Sequence, residues 1–468
     1  MTNSIEHGNF CVYGHFNQPP RGNPLTGEIS QEDEAAPYPN WNERIADRCY
    51  RPNAEVGNFQ HISFSAGETL LNWLEAAHPD IYQAIVAGDT PDDSEATEGN
   101  ALATAYHHSI LPLARRRDKR SQILWGLTAF EHRFGRKPLG FWLPEMAVDT
   151  ETLNLLAESG VQYTLLSGQQ FRDLPPFGGA GPYQIKLPQD RSIAVFVRDD
   201  RLSGDISFNI HTLGGAGHWA HNVLSATRKT AGPLLLLATE GETFGHHYAG
   251  EDQFLYWLMT REARAVGYIV TNLDRYFVDC PPTQTVHIHE PSSWSDQYGL
   301  ANWATGEAQP GRDTTWKGAL RRALDNVASE LDRTYEDLVR PLGVDPWQLR
   351  DQYAPVLLDS MSADEFLSKQ VSGIDKKVAE QVKALLRAQE LAQRMYTSYT
   401  FTSEQLDSRQ PRYAIACAAA ALTIAQHATG RDMAERLMPD LAVVISGGTS
   451  GTEILRSVVE EFSLDLPE

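Results

Sequence analysis

The run Leu139-Gly-Phe-Trp-Leu-Pro-Glu145 decides the fold, together with Asp149-Thr-Glu-Thr-Leu-Asn-Leu-Leu-Ala-Glu158 and Val161-Gln-Tyr-Thr-Leu-Leu166 behind it. Pro144 has no amide hydrogen for a sheet ladder, so a strand entering from Leu139 ends there and leaves Glu145 at its rim. Asp149 can cap a helix over Thr150–Glu158, and Gly160 can close it. The apolar run from Val161 is then the next strand. A strand–acid–helix–strand unit is the building block of parallel α/β folds, whose chemistry sits at the carboxyl ends of the strands.

The same unit recurs downstream. Pro233-Leu-Leu-Leu-Leu-Ala238 is a continuous apolar run, as expected of a strand buried on both faces. It opens into Thr239-Glu240-Gly-Glu242-Thr-Phe-Gly-His246-His247-Tyr248. A helix over Glu251–Val266, Gly267 and a strand Tyr268–Thr271 follow. Upstream, Phe10–Tyr13 is a short strand leading into Gly14-His15-Phe16-Asn17-Gln18-Pro19. The polar loop to about Arg51 is long enough to suggest a functional role. Phe59–Phe64 reads as a strand and Gly67–Glu75 as the start of a helix. Ala101–Arg116 has helical spacing and ends in basic residues, which suits a helix C-terminus. On that reading Arg115-Arg-Arg-Asp-Lys-Arg120 is a solvated helix end. Ser121–Phe134 is a further amphipathic helix, and Ile193–Val197 a strand with Arg198-Asp199-Asp200 at its end. From about Thr314 the texture changes. Trp316–Leu338, Ala363–Gln370, Lys376–Met395 and Tyr413–Ala428 have helical periodicity with little strand signal between them. A boundary near Pro310 therefore separates an α/β region, 1–310, from a helical region, 311–468.

The chain has 468 residues, 41% of them hydrophobic, and a formal net charge of −21. That charge argues against nucleic acid or anionic membrane as a partner and is mildly in favour of a neutral or cationic substrate. Cys11, Cys49, Cys280 and Cys417 are far apart and contain no CxxC pair, so neither a zinc cluster nor a disulfide framework is implied. The first ten residues lack a basic segment followed by an apolar core, so no signal peptide is expected. The most apolar run, Ala414–Ala428, is too short to span a bilayer and reads as a buried Ala-rich helix. The chain reads as cytoplasmic.

Two carboxylates at the exits of parallel strands are what glycoside hydrolysis needs: one attacks the anomeric carbon, the other protonates the leaving oxygen and then activates water. Aromatic residues beside both acids (Trp142, Phe244, Tyr248) suit sugar rings, and equally suit core packing. At these residues the chain resembles glycoside hydrolase family 57. Phe-Trp-Leu-Pro-Glu145 resembles the family's nucleophile motif. Glu240-Gly-Glu242-Thr-Phe-Gly-His246-His247 resembles its acid motif, normally Asp-x-Glu-x-Phe-Gly-His-Trp. His15-Phe-Asn-Gln-Pro19 resembles its His-x-His-Gln-Pro signature. Ile62–Leu71 is similar to its second-strand region, and Ser292-Ser-Trp-Ser-Asp-Gln-Tyr-Gly-Leu300 to its last motif. The region after these motifs, including Met395-Tyr-Thr-Ser-Tyr399, resembles a subgroup with a poorly characterised helical C-terminal domain.

The resemblance implies a distorted seven-stranded parallel (β/α) barrel followed by a mostly helical region. It further implies a retaining hydrolase or transglycosylase of α-glucans or malto-oligosaccharides, with no cofactor and no metal. Glu145 would be the nucleophile and Glu240 the general acid/base, assisted by Glu242. His15, Gln18, His61, Trp142, Asp199, His246, His247 and Trp294 would line the sugar subsites. Three departures stand out: Glu240 replaces Asp, Asn17 replaces the second signature histidine, and His247 replaces Trp. One extra methylene shifts a carboxyl group by about a C–C bond length. That departure motivates a second reading, a glycan-binding or regulatory homologue with impaired catalysis. The strand-end histidines motivate a third, a deacetylase-like metal enzyme, but no His-x-Asp or His-x-x-x-His pair supplies its ligands.

Overall fold

The computed structural model describes residues 8–89, 98–176, 178–228, 230, 232–294, 299–309, 312–433 and 437–464. Expectations for the first seven residues, for 295–298 and for a boundary at Pro310 lie outside the described residues, as does the polar stretch 90–97, which reads from sequence as part of a surface loop, Asp89–Gly99. The chain forms two compact units. The first comprises Met1–Gln18, Ser30–Thr104 and Phe130–Trp294; the second comprises Pro19–Ile29, Ala105–Ala129 and Ser295–Glu468.

The first unit is α/β. Strand β1 (Asn9–Phe16) lies between β2 (Ser63–Ala66) and β8 (Leu234–Glu240), parallel to both, and β9 (Ile269–Val270) also pairs with its start. A second sheet runs β3 (Ala103–Thr104), β4 (Gly140–Trp142), β5 (Tyr163–Ser167), β7 (Ser192–Arg198), β6 (Tyr183–Lys186). All its pairings are parallel except β6 with β7. Hydrogen bonds join the sheets at two places: Leu102 N–H donates to the Phe64 carbonyl (2.7 Å), and Asp199 N–H to the Leu236 carbonyl (2.8 Å). Phe10, Cys11, Val12 and Tyr13 of β1 and Leu234–Ala238 of β8 are all buried. Such double-sided burial is why these strands are continuous apolar runs rather than alternating ones.

The opening unit forms as its residues dictate. Strand β4 stops at Trp142, two residues before Pro144. The helix Thr150–Glu158 starts where the Asp149 carboxylate accepts the Thr152 N–H (2.7 Å). Gly160, at φ +90°, turns the chain into β5.

The second unit is helical. Its long helices are Trp316–Val339, Lys376–Arg394 and Arg409–Thr429, followed by Gly451–Glu461. Ala414, Ala416 and Ala418–Ala421 are fully buried. Side chains this small let neighbouring helices approach closely. Among the described residues no helix is long and apolar enough to cross a membrane. The four cysteines are free, with only Cys280 exposed.

Four sequence expectations need correction. The polar loop expected to run to about Arg51 gives way to helical segments at Trp41, which continue to Glu55. Residues 59–62 are a short turn (Asn58–Gln60) and a link, and the strand begins at Ser63. Ala101–Arg116 is not a helix. Every residue from Ala101 to Ile110 is buried, so there is no solvent face for an amphipathic helix to present. Ala103 and Thr104 instead pair with Phe141 and Trp142. The basic run opens a helix, Arg116–Phe134, rather than closing one. Its cations are held by acids of the second unit: Arg115 by Asp332 (2.9 Å), Arg117 by Asp332 and Arg120 by Asp351 (2.9 Å). Lys119 within the run is buried. The run is thus a helix start bearing ion pairs, with Arg115, Arg116 and Arg120 still exposed.

Candidate functional site

Beyond β4 the backbone turns sharply. Glu145 has φ 58° and ψ 19°, and Met146 has φ 48°. Two consecutive non-glycine residues in the left-handed region cost about 1–3 kcal/mol each and persist only where the surroundings impose them. Here the Met146 N–H donates to the Leu143 carbonyl (2.7 Å), and Gln170 Nε2 donates to the Met146 carbonyl (2.8 Å). Trp294 holds Glu145 twice. Its backbone N–H donates to the Glu145 carbonyl (3.2 Å), and its indole N–H donates to Glu145 Oε2 (3.0 Å).

Aromatic rings pack around this turn. Tyr13 and His15, two apart on β1 and so on one face, both stack on Trp142, at 4.9 Å and 5.0 Å between ring centroids. Trp294 meets Trp142 edge-on at 5.2 Å. Ser65 ties the β1 side chains to β2, through Tyr13 Oη (2.5 Å) and His15 Nδ1 (2.7 Å). Trp142 is 0% exposed, so it supports the neighbouring rings rather than offering a face of its own.

Glu240 is the last residue of β8 and pairs with His15 in the ladder, which puts both side chains on one face. Its side chain is 53% exposed, with His247 Nε2 3.8 Å from Oε2. The turn that follows needs Gly241, where a Cβ would fall 2.4 Å from the Phe16 ring. That turn buries Glu242, whose main-chain carbonyl accepts from both His246 (3.0 Å) and His247 (2.9 Å). Glu242 Oε1 accepts the Asn17 N–H (2.9 Å) and the Tyr50 hydroxyl (2.6 Å), while Gln18 Nε2 donates to Tyr50 Oη (2.8 Å). Burial pushes the Glu242 carboxyl up to about 8; the Tyr50 hydrogen bond opposes this and the Glu240 charge adds to it. Burial thus favours the protonated form of Glu242.

Of the remaining sequence candidates, His246 lies edge-on to Trp41 (5.9 Å), and Asp199 caps the helix Asp200–Asn209 by accepting the Leu202 N–H (2.8 Å). His61 is not brought to this rim. It precedes Ser63 at the start of β2, roughly 15 Å along the chain from the strand end that faces the site. Two residues were missed. Tyr50 lies in a helical stretch, Trp41–Glu55, inside what the sequence reads as a long polar loop, whose length was the only signal. Arg198 ends β7 and lies over the Trp294 ring, 4.7 Å from its centroid. Among the described residues no group of three or more His, Cys, Asp or Glu is placed to hold a metal ion.

Fold and site together define an α/β protein with carboxylates at the carboxyl ends of parallel strands, set among aromatic rings. The model described as "Glycosyl hydrolase family 57" matches residues 35–288, more than half of the chain, and the chain belongs to that family. A second model, "Domain of unknown function (DUF3536)", matches residues 313–468. Alpha-amylase 1 of Dictyoglomus thermophilum is 28% identical over 163 residues, which is 33% of this chain but only 22% of that protein. Several solved structures share the fold, among them the following two. An exo-type maltose-forming amylase from Pyrococcus sp. ST04 has a TM-score of 0.75 at 17% identity, over 92% of this chain and 82% of that one. A branching enzyme from Thermococcus kodakaraensis has a TM-score of 0.61 at 13% identity, over 98% and 94%.

Proposed function

We propose that the protein is a retaining α-glucan hydrolase or transglycosylase. The observation that carries this is Glu145, a carboxylate presented by a strained turn at a strand exit and held by an indole N–H. Such a cost in backbone conformation is characteristic of functional positions. In this reading Glu145 attacks the anomeric carbon while Glu240 gives its proton to the glycosidic oxygen, and the glycosidic bond breaks. Glu240, now a carboxylate, takes a proton from water or a sugar hydroxyl, which attacks the glycosyl–Glu145 ester and frees Glu145. Glu242 assists as a buried, protonated neighbour. His15, Gln18, His246, His247 and Trp294 form or brace the sugar subsites.

The ladders and the two inter-sheet hydrogen bonds support reading β1–β5, β7 and β8 as a distorted seven-stranded barrel. The division 1–310 and 311–468 is supported by the family matches, which stop at 288 and resume at 313. The charge of −21 supports a reading without nucleic acid or membrane partners, and cytoplasmic residence belongs to the same proposal.

The test is incubation with malto-oligosaccharides and glycogen, with the anomer of the first product read by proton NMR. The α-anomer is expected. Replacement Glu145→Gln should abolish turnover while leaving circular dichroism and glucan binding intact, and full activity in that variant would remove the assignment. A catalytically impaired glycan-binding protein is the second reading, favoured by the half-exposed Glu240 standing where the acid motif it resembles normally has Asp. Glu240→Asp separates the two. A loss of kcat is expected of an enzyme that works with Glu at this position; a large gain would favour the impaired homologue.

A further inference from the structure

Arg198 belongs to no motif of the sequence, yet its guanidinium is anchored at two points in the site. Its Nε donates to Asp200 Oδ1 (2.7 Å) and its Nη1 to the Ala238 carbonyl of β8 (3.2 Å). Asp200 is fixed in turn by the Ser167 hydroxyl at the end of β5 (2.7 Å) and by the Gln169 N–H (3.3 Å). The guanidinium so anchored spreads over the Trp294 ring, where a cation is attracted by the π face. Gln169 also reaches Trp294 directly, through its Nε2 to the Trp294 carbonyl (2.8 Å). The ends of β5 and β7 therefore converge on Trp294, one at its main-chain carbonyl and one at its ring, and the indole N–H is spent on Glu145.

We propose that Arg198 is a positioning residue for Glu145, acting through Trp294: it locks the indole so that its N–H stays aimed at the carboxylate. The proposal rests on Glu145 being the nucleophile. Two consequences follow for the carboxylate. A fixed donor favours the ionised form, which is the form that attacks. It also fixes one oxygen, so that the other is presented in a constant direction; loose placement of a nucleophile is expensive in rate.

The experiment compares Arg198→Met, Arg198→Lys, Trp294→Phe and the double variant Arg198→Met/Trp294→Phe with the wild-type chain. On malto-oligosaccharides, Arg198→Met should lower kcat by about tenfold or more with KM within about twofold. The acid limb of its kcat/KM profile should move to higher pH. The double variant should be little worse than Trp294→Phe alone, because both changes break one chain of contacts. A second readout needs no turnover. The indole N–H resonance of Trp294, assigned by its loss in Trp294→Phe, should titrate with Glu145 and lose that step in Glu145→Gln. Its midpoint should rise in Arg198→Met, and in Arg198→Lys if the methionine variant does not fold. Additive kinetic losses, or an unmoved midpoint, would overturn the proposal. If the wild-type chain turns over no glucan while the midpoint moves as described, the functional reading fails and the positioning role stands.

Discussion

Glu242 is the residue whose ionisation should be visible from outside. Its carboxyl is 6% exposed and shifted from the ordinary 4.5 up to about 8, first by burial, with Glu240 adding to it. The native state therefore holds a proton that the unfolded chain releases near pH 4.5. The stability this contributes is fully present below that pH and is lost as pH rises through about 8. Glu242→Gln keeps acceptors for Asn17 and Tyr50 but cannot ionise. Its unfolding free energy should therefore gain on the wild type between pH 5 and pH 8.5, by on the order of a few kcal/mol. Urea denaturation at the two pH values checks this, and an equal difference at both would refute it. At this scale the sequence was legible where covalent geometry dictates the outcome. Pro144 ends a strand whatever surrounds it, so Glu145 could be placed at a rim. Tyr50 and Arg198 were not legible, because each acts across a gap in sequence that no local rule spans. Their partners are Glu242 and Trp294, and neither pairing leaves a spacing to read. The left-handed turn at Glu145 was hidden for a related reason. It is held from outside by Trp294 and Gln170, in addition to the turn's own hydrogen bonds.

Among the elements, the helix Lys376–Arg394 shows how burial and charge are reconciled. Glu390 is 0% exposed, and its oxygens meet Arg387 (2.6 Å), Arg394 and His107 (3.2 Å). Burial alone would raise this carboxyl, but the charge of Arg394 and the contact from His107 hold it well below the usual range. It thus contributes stability above the ordinary carboxylate range that is lost as pH falls. Removing Glu390 leaves two partly buried guanidiniums without their buried counter-charge. Glu390→Gln should cost about 3–5 kcal/mol in urea unfolding at pH 7. The paired variant Glu390→Met/Arg394→Met should recover part of that loss, since the charge and its partner leave together. A loss below about 1 kcal/mol in the single variant would show the cluster to be weakly coupled. The helix itself was readable to within a residue, because it is amphipathic and Asp375 caps it. Ala101–Ile110 was misread because a stretch buried on every side carries no periodicity to distinguish strand, turn and helix.

For the whole molecule, periodicity marks where helices lie but not which core they join. The change of texture near Pro310 announces the helical region, yet the second compact unit also takes in Ala105–Ala129 from far upstream. That segment is part of the unit's interior. Trp125 is fully buried, its indole N–H donates to the Arg350 carbonyl (2.9 Å), and Tyr106 and Ala129 pack with it against Ala354. Arg350, itself fully buried, is neutralised by Asp118 (2.8 Å) and braced by the Ser121 hydroxyl (3.1 Å). Asp332 takes Arg115 and Arg117 from the same segment, and Glu390 takes His107. A chain consisting of 313–468 alone, the span of the second family match, would therefore expose an apolar face. It would also leave Arg350 and Asp332 without these partners. Buried charges stripped of partners are among the costliest defects a fold can carry. We expect that fragment to be rich in helix by circular dichroism but to unfold without a cooperative transition. Adding a peptide spanning 105–129 should restore a transition and slow amide exchange in the helices around Arg350 and Glu390. A sharp urea transition in the bare fragment would show instead that the helical region builds its core without the upstream segment.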